Sequence, residues 1–349
     1  MSALPPGSRA SDDVSPMLEQ TAAGLALVER ALQDQLVGDS ELLTVVGEYT
    51  LSSGGKRMRP ALVLLSAELC GYTGPRRVEI AAAVELLHTA TLLHDDVVDF
   101  AELRRGRPSV NAIWGNRRAV LAGDYFYARA SSMIVEDGDV ELLGIFANTI
   151  RLMAEGELLQ LQRSFDPTVT EAHYYGVINR KSATLLSAAC EVGAVLGGVT
   201  RNERRRLAEF GRELGLAFQL RDDALDYEAR EEELGKSPFT DVREGKVTLP
   251  LLLTLKRSTT SEREHIASVL KQAARLADSG PEGAEAAAAL ALELEPVIDL
   301  VERYHGVVDT VRRAEEHVTR ATEAIAAFPD SAVKRALLSS ASFAVSRDR

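Results

Sequence analysis

One five-residue phrase, Asp-Asp-x-x-Asp, occurs twice in this chain of 349 residues, each time near the end of a long apolar helical pattern. Asp95, Asp96 and Asp99 form the first copy, in LLHDDVVD; Asp222, Asp223 and Asp226 form the second, in FQLRDDALDY. On an α-helix residues i and i+4 share a face, which sets Asp95 beside Asp99 and Asp222 beside Asp226. Like charges at that spacing destabilise a bare helix, and the flanking residues are too apolar for a freely solvated face. A cation therefore belongs there. One such phrase alone is as often a solvated helix end; two copies with the same internal spacing, both inside apolar helices, are not. Hard oxygen donors favour Mg²⁺, which usually bridges one or two carboxylates to substrate phosphates. Two facing clusters would hold a diphosphate through several metal ions.

Apolar residues recur at helical spacing almost throughout, with no convincing period-two strand. Hydrophobic residues make up 46% of the chain and aromatics only 5%, a mixture suited to helices packed closely on helices. Pro60 reads as the first residue of a helix that reaches Cys70, with Gly71 past its end. Further helices are expected over about 77–100, 118–135, 140–163, 170–196 and 200–230, followed by a charged loop over 231–248. Short helices come next, then an Ala/Glu-rich stretch around 280–289 that reads as mobile. One long pattern over about 292–328 and a short C-terminal helix complete the chain. Residues 1–16, rich in Pro, Ser, Gly and Asp, read as a disordered tail, and 17–349 as one all-α domain, a single large helical bundle.

A formal net charge of −12 argues against a general nucleic-acid binder, whose footprint is basic. No run approaches the roughly 18 apolar residues of a membrane span, and the N-terminus lacks a signal-peptide core. Cys70 and Cys190 lie in apolar helical patterns and read as buried reduced thiols, in keeping with a cytoplasmic protein.

If the aspartates hold metal-bound diphosphate, cations belong on nearby loops. GGKRMRP supplies Lys56, Arg57 and Arg59 on a Gly54-Gly55 turn just before a helix N-terminus, where backbone N–H groups add to the pull on an anion. Arg104 and Arg105 follow the first aspartate cluster in ELRRGRPSVN, and Lys236 and Lys246 follow the second in GKSPFTDVREGKVTLP. Arg suits bidentate contact with phosphate oxygens. His88, two turns before Asp95, has a core histidine as its commoner fate; His94 is a second-shell partner or nothing. Neither His accompanies cysteine at zinc-ligand spacing, and there is no Ser-His-Asp elbow, P-loop or G-x-G-x-x-G fingerprint.

Together GGKRMRP, ELLHTATLLHDDVVD, RRGRPSVN, VLAGDYFYARA, AEGELLQL, NRKSATLL, GRELGLAFQLRDDALDY and GKSPFTDVREGKVTLP resemble, in order, the trans-type (head-to-tail) polyprenyl diphosphate synthase family. The resemblance covers residues 51–252. It implies a bundle around a deep central cavity, a homodimer, and three Mg²⁺ ions with Asp95, Asp99 and Asp222 as leading ligands. Asp96, Asp223 and Asp226 would complete or support that shell, and with Lys181 these aspartates form the implied catalytic set. Lys56, Arg59, His88 and Arg105 are similar to the family's isopentenyl diphosphate site. Arg104, Lys181, Gln219, Lys236 and Lys246 match positions that hold the allylic diphosphate, farnesyl or geranylgeranyl. Ser182 stands where the family commonly has Thr, and keeps the hydroxyl.

Short-chain relatives commonly place aromatics four and five positions before the first aspartate; here stand Thr91 and Ala90. Deeper on that face lie Leu87, Val84 and Ala83, and the next helix brings Phe126, Tyr127, Ser131 and Met133 as a floor. The expected product is about C35 to C50, octaprenyl at its centre, for a quinone side chain; in a close-packed interior a single bulky side chain ends the tunnel. The alternative is a C20 geranylgeranyl diphosphate synthase. A class I terpene cyclase usually carries an Asn/Ser/Glu-type second metal motif, and a non-catalytic partner subunit would carry degraded motifs; this chain has neither trait. Release of so apolar a product raises transient membrane contact as a further expectation.

Overall fold

The computed structural model describes residues 15–36, 40–52, 54–228, 239–278 and 284–346, and these form a succession of α-helices with one short hairpin. In chain order they are α1 Ser15–Asp34, α2 Glu41–Leu51, α3 Met58–Leu69 and α4 Arg76–Val98, then β1 Leu103–Arg104 paired with β2 Arg107–Pro108. α5 Val110–Trp114, α6 Asn116–Asp137, α7 Val140–Leu161 and α8 Glu171–Ile178 follow, and a π-helical segment, Asn179–Ala183, joins α8 to α9 Thr184–Leu196. The long α10 Arg201–Glu228 precedes α11 Thr240–Arg243, α12 Leu249–Arg257 and α13 Thr260–Asp278. α14 Ala284–Arg303, α15 Gly306–Ala324 and α16 Ala332–Ser346 end the bundle.

Local chemistry sets these boundaries. Ser109, Asp139 and Thr170 cap α5, α7 and α8, each side-chain oxygen accepting a hydrogen bond from a first-turn backbone N–H. Gly71 and Gly138 take positive φ just past α3 and α6.

Several sequence expectations need correction. α3 opens at Met58, two residues before Pro60. The pattern over 292–328 is two helices, parted where His305 adopts φ 55°. α13, expected among short helices, is 19 residues long. Ser15 and Pro16, assigned to the tail, begin α1, while residues 1–14 lie outside the described ones. Of the stretch expected to be mobile, residues 279–283 also lie outside them, and from Ala284 onward it is helix.

α4 packs on α3, α6 and α1, and α10 packs on α9 and α15; α9 touches both α4 and α10. Fully buried alanines, among them Ala81, Ala82, Ala83, Ala189 and Ala217, let these helices approach closely. Phe126 and Phe210 are the largest fully buried side chains, each contributing roughly 1.5–3 kcal/mol through apolar burial. Cys70 and Cys190 are free thiols, each pushed up to about 12 by burial and so unreactive. Among the described residues no helix is long and apolar enough to cross a membrane.

Candidate active site

The six aspartates divide by their surroundings. Asp96 is buried and accepts from Arg104, whose Nε lies 2.7 Å from Oδ1 and whose Nη2 donates to the same oxygen. Asp223 is buried too, accepting from the Tyr174 hydroxyl and, at 2.7 Å, from Gln219 Nε2. Asp226 accepts from the backbone N–H groups of Thr240 and Asp241, both at 3.1 Å, and so fastens the start of α11. Asp95 and Asp99 are half-buried, like Asp226, and Asp222 is exposed. Lys246 Nζ lies 2.9 Å from Asp99 Oδ2 and 2.6 Å from Glu244 Oε2, so the segment after the second cluster reaches the first.

Burial disfavours the ionised form of several carboxylates here. Burial raises the Asp95 carboxyl to about 6, with Glu157 and Asp99 adding to the rise and Lys181 and Arg104 opposing it. Burial likewise raises Asp223, helped by Asp222 and Asp226, against the hydrogen bonds from Tyr174 and Gln219. Asp241 is pushed well above the usual carboxylate range by burial beside Asp226 and Asp223. A divalent ion would favour the ionised carboxylates against this burial. Among the described residues no three acidic, His or Cys side chains already converge as a cage. Mg²⁺ needs none, because it takes one or two carboxylates and completes its octahedron with water and substrate phosphate; hard oxygens at Asp95, Asp99 and Asp222 fit it.

The π segment sets adjacent side chains to work on different clusters. Lys181 Nζ lies 2.8 Å from Glu157 Oε1, and its charge acts on Asp95. Ser182 Oγ donates to Gln219 Oε1 at 2.6 Å, and Gln219 reaches Asp223. A π-bulge inserts one residue into a helical turn, commonly at functional sites. Gly156 on α7 gives it room: a Cβ there would meet Lys181 N at 2.8 Å and Arg180 Cβ at 3.0 Å. A cavity of about 140 Å³ lies here, with Tyr174, Lys181, Gln219, Asp223, Asp241 and Lys246 in its wall.

On the other flank, Arg59 is held below its usual pKa by burial and by Arg105, while Glu85 and Asp222 pull the other way. Its Nε is buried with no hydrogen-bond partner among the described residues, an orphaned donor suited to an anion. Arg105 is lowered by burial and by Arg104 and Arg57, and its Nη1 donates to the Gly54 carbonyl. Gly55 takes φ 141°, a region L side chains rarely adopt, and packs against Arg105: a Cβ there would lie 2.8 Å from that Nη1. His88 is pushed well below its usual value by burial and by Arg59, Arg105, Arg104 and Arg57, so its imidazole is neutral. Lys56 Nζ sits 3.9 Å above the Phe343 ring of α16. Arg57 belongs to the scaffold, paired with Glu29 at 2.5 Å and Glu85 at 2.8 Å. Lys236 lies outside the described residues.

Of the expected tunnel residues, Ala90, Leu87, Val84 and Phe126 are buried where α4 packs on α6. Thr91 and Ser131 are half-buried, each hydroxyl spent on its own helix, donating to the His88 and Tyr127 carbonyls at 2.8 and 2.9 Å. The sequence reading missed Tyr174, Glu157 and Asp241. The available signals were the place of Tyr174 two turns before Lys181 and that of Asp241 between Lys236 and Lys246.

The family model described as polyprenyl synthetase matches residues 40–282. Octaprenyl diphosphate synthase of Escherichia coli (strain K12) is 40% identical over 331 residues, which are 95% of this chain and 98% of that protein. A short chain isoprenyl diphosphate synthase of Methanothermobacter thermautotrophicus is 36% identical over 312 residues, 88% of this chain and 91% of that one. The crystal structure of a polyprenyl synthase from Caulobacter crescentus CB15, complexed with calcium and isoprenyl diphosphate, has a TM-score of 0.89 at 39% identity, covering 98% of this chain and 100% of that one.

Proposed function

The chain belongs to the polyprenyl synthetase family, with its all-α isoprenoid synthase fold, and is a prenyltransferase; we propose that it adds isopentenyl diphosphate repeatedly, head to tail, to an allylic diphosphate and makes a long-chain all-trans polyprenyl diphosphate. The observation that carries this reading is the reach of Lys246, from the segment after the second acidic cluster, to Asp99 of the first; the buried Arg59 Nε, without a hydrogen-bond partner among the described residues, supports it as a donor for an anion. A Caulobacter relative that holds calcium and isoprenyl diphosphate supports it.

Asp95, Asp99 and Asp222 would hold three Mg²⁺ ions, which when bound supply positive charge to the leaving diphosphate. Lys181, Lys246, Gln219 and Ser182 orient the allylic diphosphate, and Lys236 is assigned there by resemblance. Arg104 shares this role with one edge while it secures Asp96. Arg59, Arg105, Lys56 and neutral His88 hold isopentenyl diphosphate on the opposite flank. Cations aimed at the departing oxygen favour scission of the allylic C–O bond. The double bond of isopentenyl diphosphate, fixed close by, captures the allylic cation in surroundings that exclude water. A proton then leaves to the released diphosphate, and the new allylic product is five carbons longer.

Small residues at Ala90 and Thr91 support the long-chain product over the C20 alternative, and the identity to an octaprenyl enzyme points the same way. Exposed apolar residues on α6 and α7, among them Leu121, Val140, Leu143, Leu158 and Leu161, support a homodimer through that face. We place the enzyme in the cytoplasm, with the helices from α1 onward as one domain. Purified protein given Mg²⁺, isopentenyl diphosphate and farnesyl or geranylgeranyl diphosphate should yield products near C40 by chromatographic mass analysis. No elongation of either primer would refute the function, and a C20 end product would refute the chain length.

A further inference from the structure

Tyr174 is buried on α8, and its hydroxyl donates to Asp223 Oδ2. The other oxygen of that carboxylate accepts from Gln219 Nε2 at 2.7 Å. Only the –NH₂ end of an amide can donate to a carboxylate, so the direction of Gln219 is determined by this contact. Its Oε1 is thereby left to accept from Ser182 Oγ, at 2.6 Å. One chain of hydrogen bonds, Tyr174 to Asp223 to Gln219 to Ser182, thus joins α8, α10 and the π segment. A carboxylate with both oxygens engaged by protein donors is fixed in its rotamer. Asp222, the next residue back along α10, is exposed, while Asp223 stays under the tyrosine.

We propose that Tyr174 is a positioning residue of the second aspartate cluster. Its hydroxyl holds Asp223 inward and, through Gln219, fixes Ser182, so that Asp222 alone of the adjacent pair meets the metal-bound diphosphate. This role rests on the prenyltransferase reading. Tyr174 lies in the wall of the cavity that Lys181 and Lys246 also line, with its hydroxyl engaged by Asp223, and its effect passes through Asp223. Without the hydroxyl, Asp223 Oδ2 is a buried acceptor short of a donor, the chain through Gln219 to Ser182 loses its anchor, and Asp222, next to it on α10, is no longer held in one orientation for the cation. The neighbouring Tyr175 packs edge-on at 5.4 Å, and its hydroxyl pairs instead with Arg313 on α15, so it serves as an internal control.

The test is a Mn²⁺ titration of the full-length protein by electron paramagnetic resonance, with inorganic diphosphate present, alongside the Mg²⁺ dependence of turnover. Tyr174→Phe weakens cation binding by about 10–100-fold, the usual cost of losing a partner behind a ligand shell; Tyr175→Phe leaves it unchanged. In an Asp223→Ala background Tyr174→Phe adds no further weakening, because Ala removes both acceptor oxygens and the two changes break the same link. Tyr174→His, which returns a ring N–H to the space, recovers part of the binding. The role is overturned if Tyr174→Phe lowers only thermal stability, or if its effect adds in full to that of Asp223→Ala. Should Tyr174→Phe not fold, Gln219→Leu, titrated with Mn²⁺ alone and no diphosphate, removes the other donor to Asp223 and is read by the same two outcomes. The titration needs no turnover, so a chain lacking prenyltransferase activity would fail the product assay while this result stood on its own.

Discussion

Lys246 Nζ and Asp99 Oδ2 lie 2.9 Å apart although 147 positions separate them in the chain, so the segment after the second aspartate cluster closes on the first. Burial opposes the charge of Lys246, yet the carboxylates of Glu244, Asp99 and Asp241 outweigh it and hold the amine above the ordinary lysine range. An ammonium is therefore permanently present between the acids.

Lys246→Ala should lower kcat/KM for the allylic substrate about 100-fold, the scale of losing one group aimed at developing negative charge. Steady-state kinetics with each substrate varied in turn checks this. A rise confined to the KM of isopentenyl diphosphate would place Lys246 on the wrong flank.

The raised Asp95 carboxyl gives cation binding a pH dependence of known sign. Its folded value, about 6, lies above the ordinary 3.8, so the charged form is the disfavoured one in the folded protein. Metal-free protein should lose stability from this group as pH rises from 3.8 through about 6. A bound proton must leave before a cation enters, so Mg²⁺ should bind more tightly as pH rises toward 6 and level off above it. Mg²⁺ titrations between pH 5 and 8 test this; a flat response would remove Asp95 from the ligand set.

Gly156→Ala should cost more in activity than in stability. The new Cβ would press on Lys181 N and Arg180 Cβ, displacing the π segment that carries Lys181 and Ser182. We expect a loss of about 1–3 kcal/mol from overpacking in urea melts, and a fall in kcat beyond what the folded fraction explains. Full activity in a destabilised variant would show that the segment tolerates the shift.

How far the sequence revealed this site depends on how local each signal is. The helices and both acidic phrases are written in spacing a few residues long, and both were legible. Which aspartates in each phrase turn inward was not, because that depends on Arg104 folding back through a hairpin, Tyr174 on α8 and the start of α11. The π segment was equally hidden: apolar spacing runs on through 170–196, and the residue that makes room for it, Gly156, is on another helix. Lys56 reads as a phosphate ligand in its loop, while its aromatic neighbour Phe343 lies near the far end of the chain.

Ala90→Phe should shorten the product. Ala90 is buried where α4 faces α6, so an aromatic ring there would fill the path expected for the growing tail. Product mass profiles should shift by several five-carbon units. An unchanged profile would refute this tunnel geometry.

Leu121→Glu combined with Leu158→Glu should yield a monomer in sedimentation velocity, since both side chains are exposed on the apolar face of α6 and α7. A dimer that persists would move the interface elsewhere.

Burial and four guanidinium groups keep His88 neutral down to a pH well below that at which free imidazole takes up a proton. Mild acidification of the surrounding medium therefore leaves the isopentenyl half of the pocket as it was, while the carboxylate half gains protons. Acid inhibition should accordingly be overcome by raising the divalent ion concentration and not by supplying more homoallylic substrate.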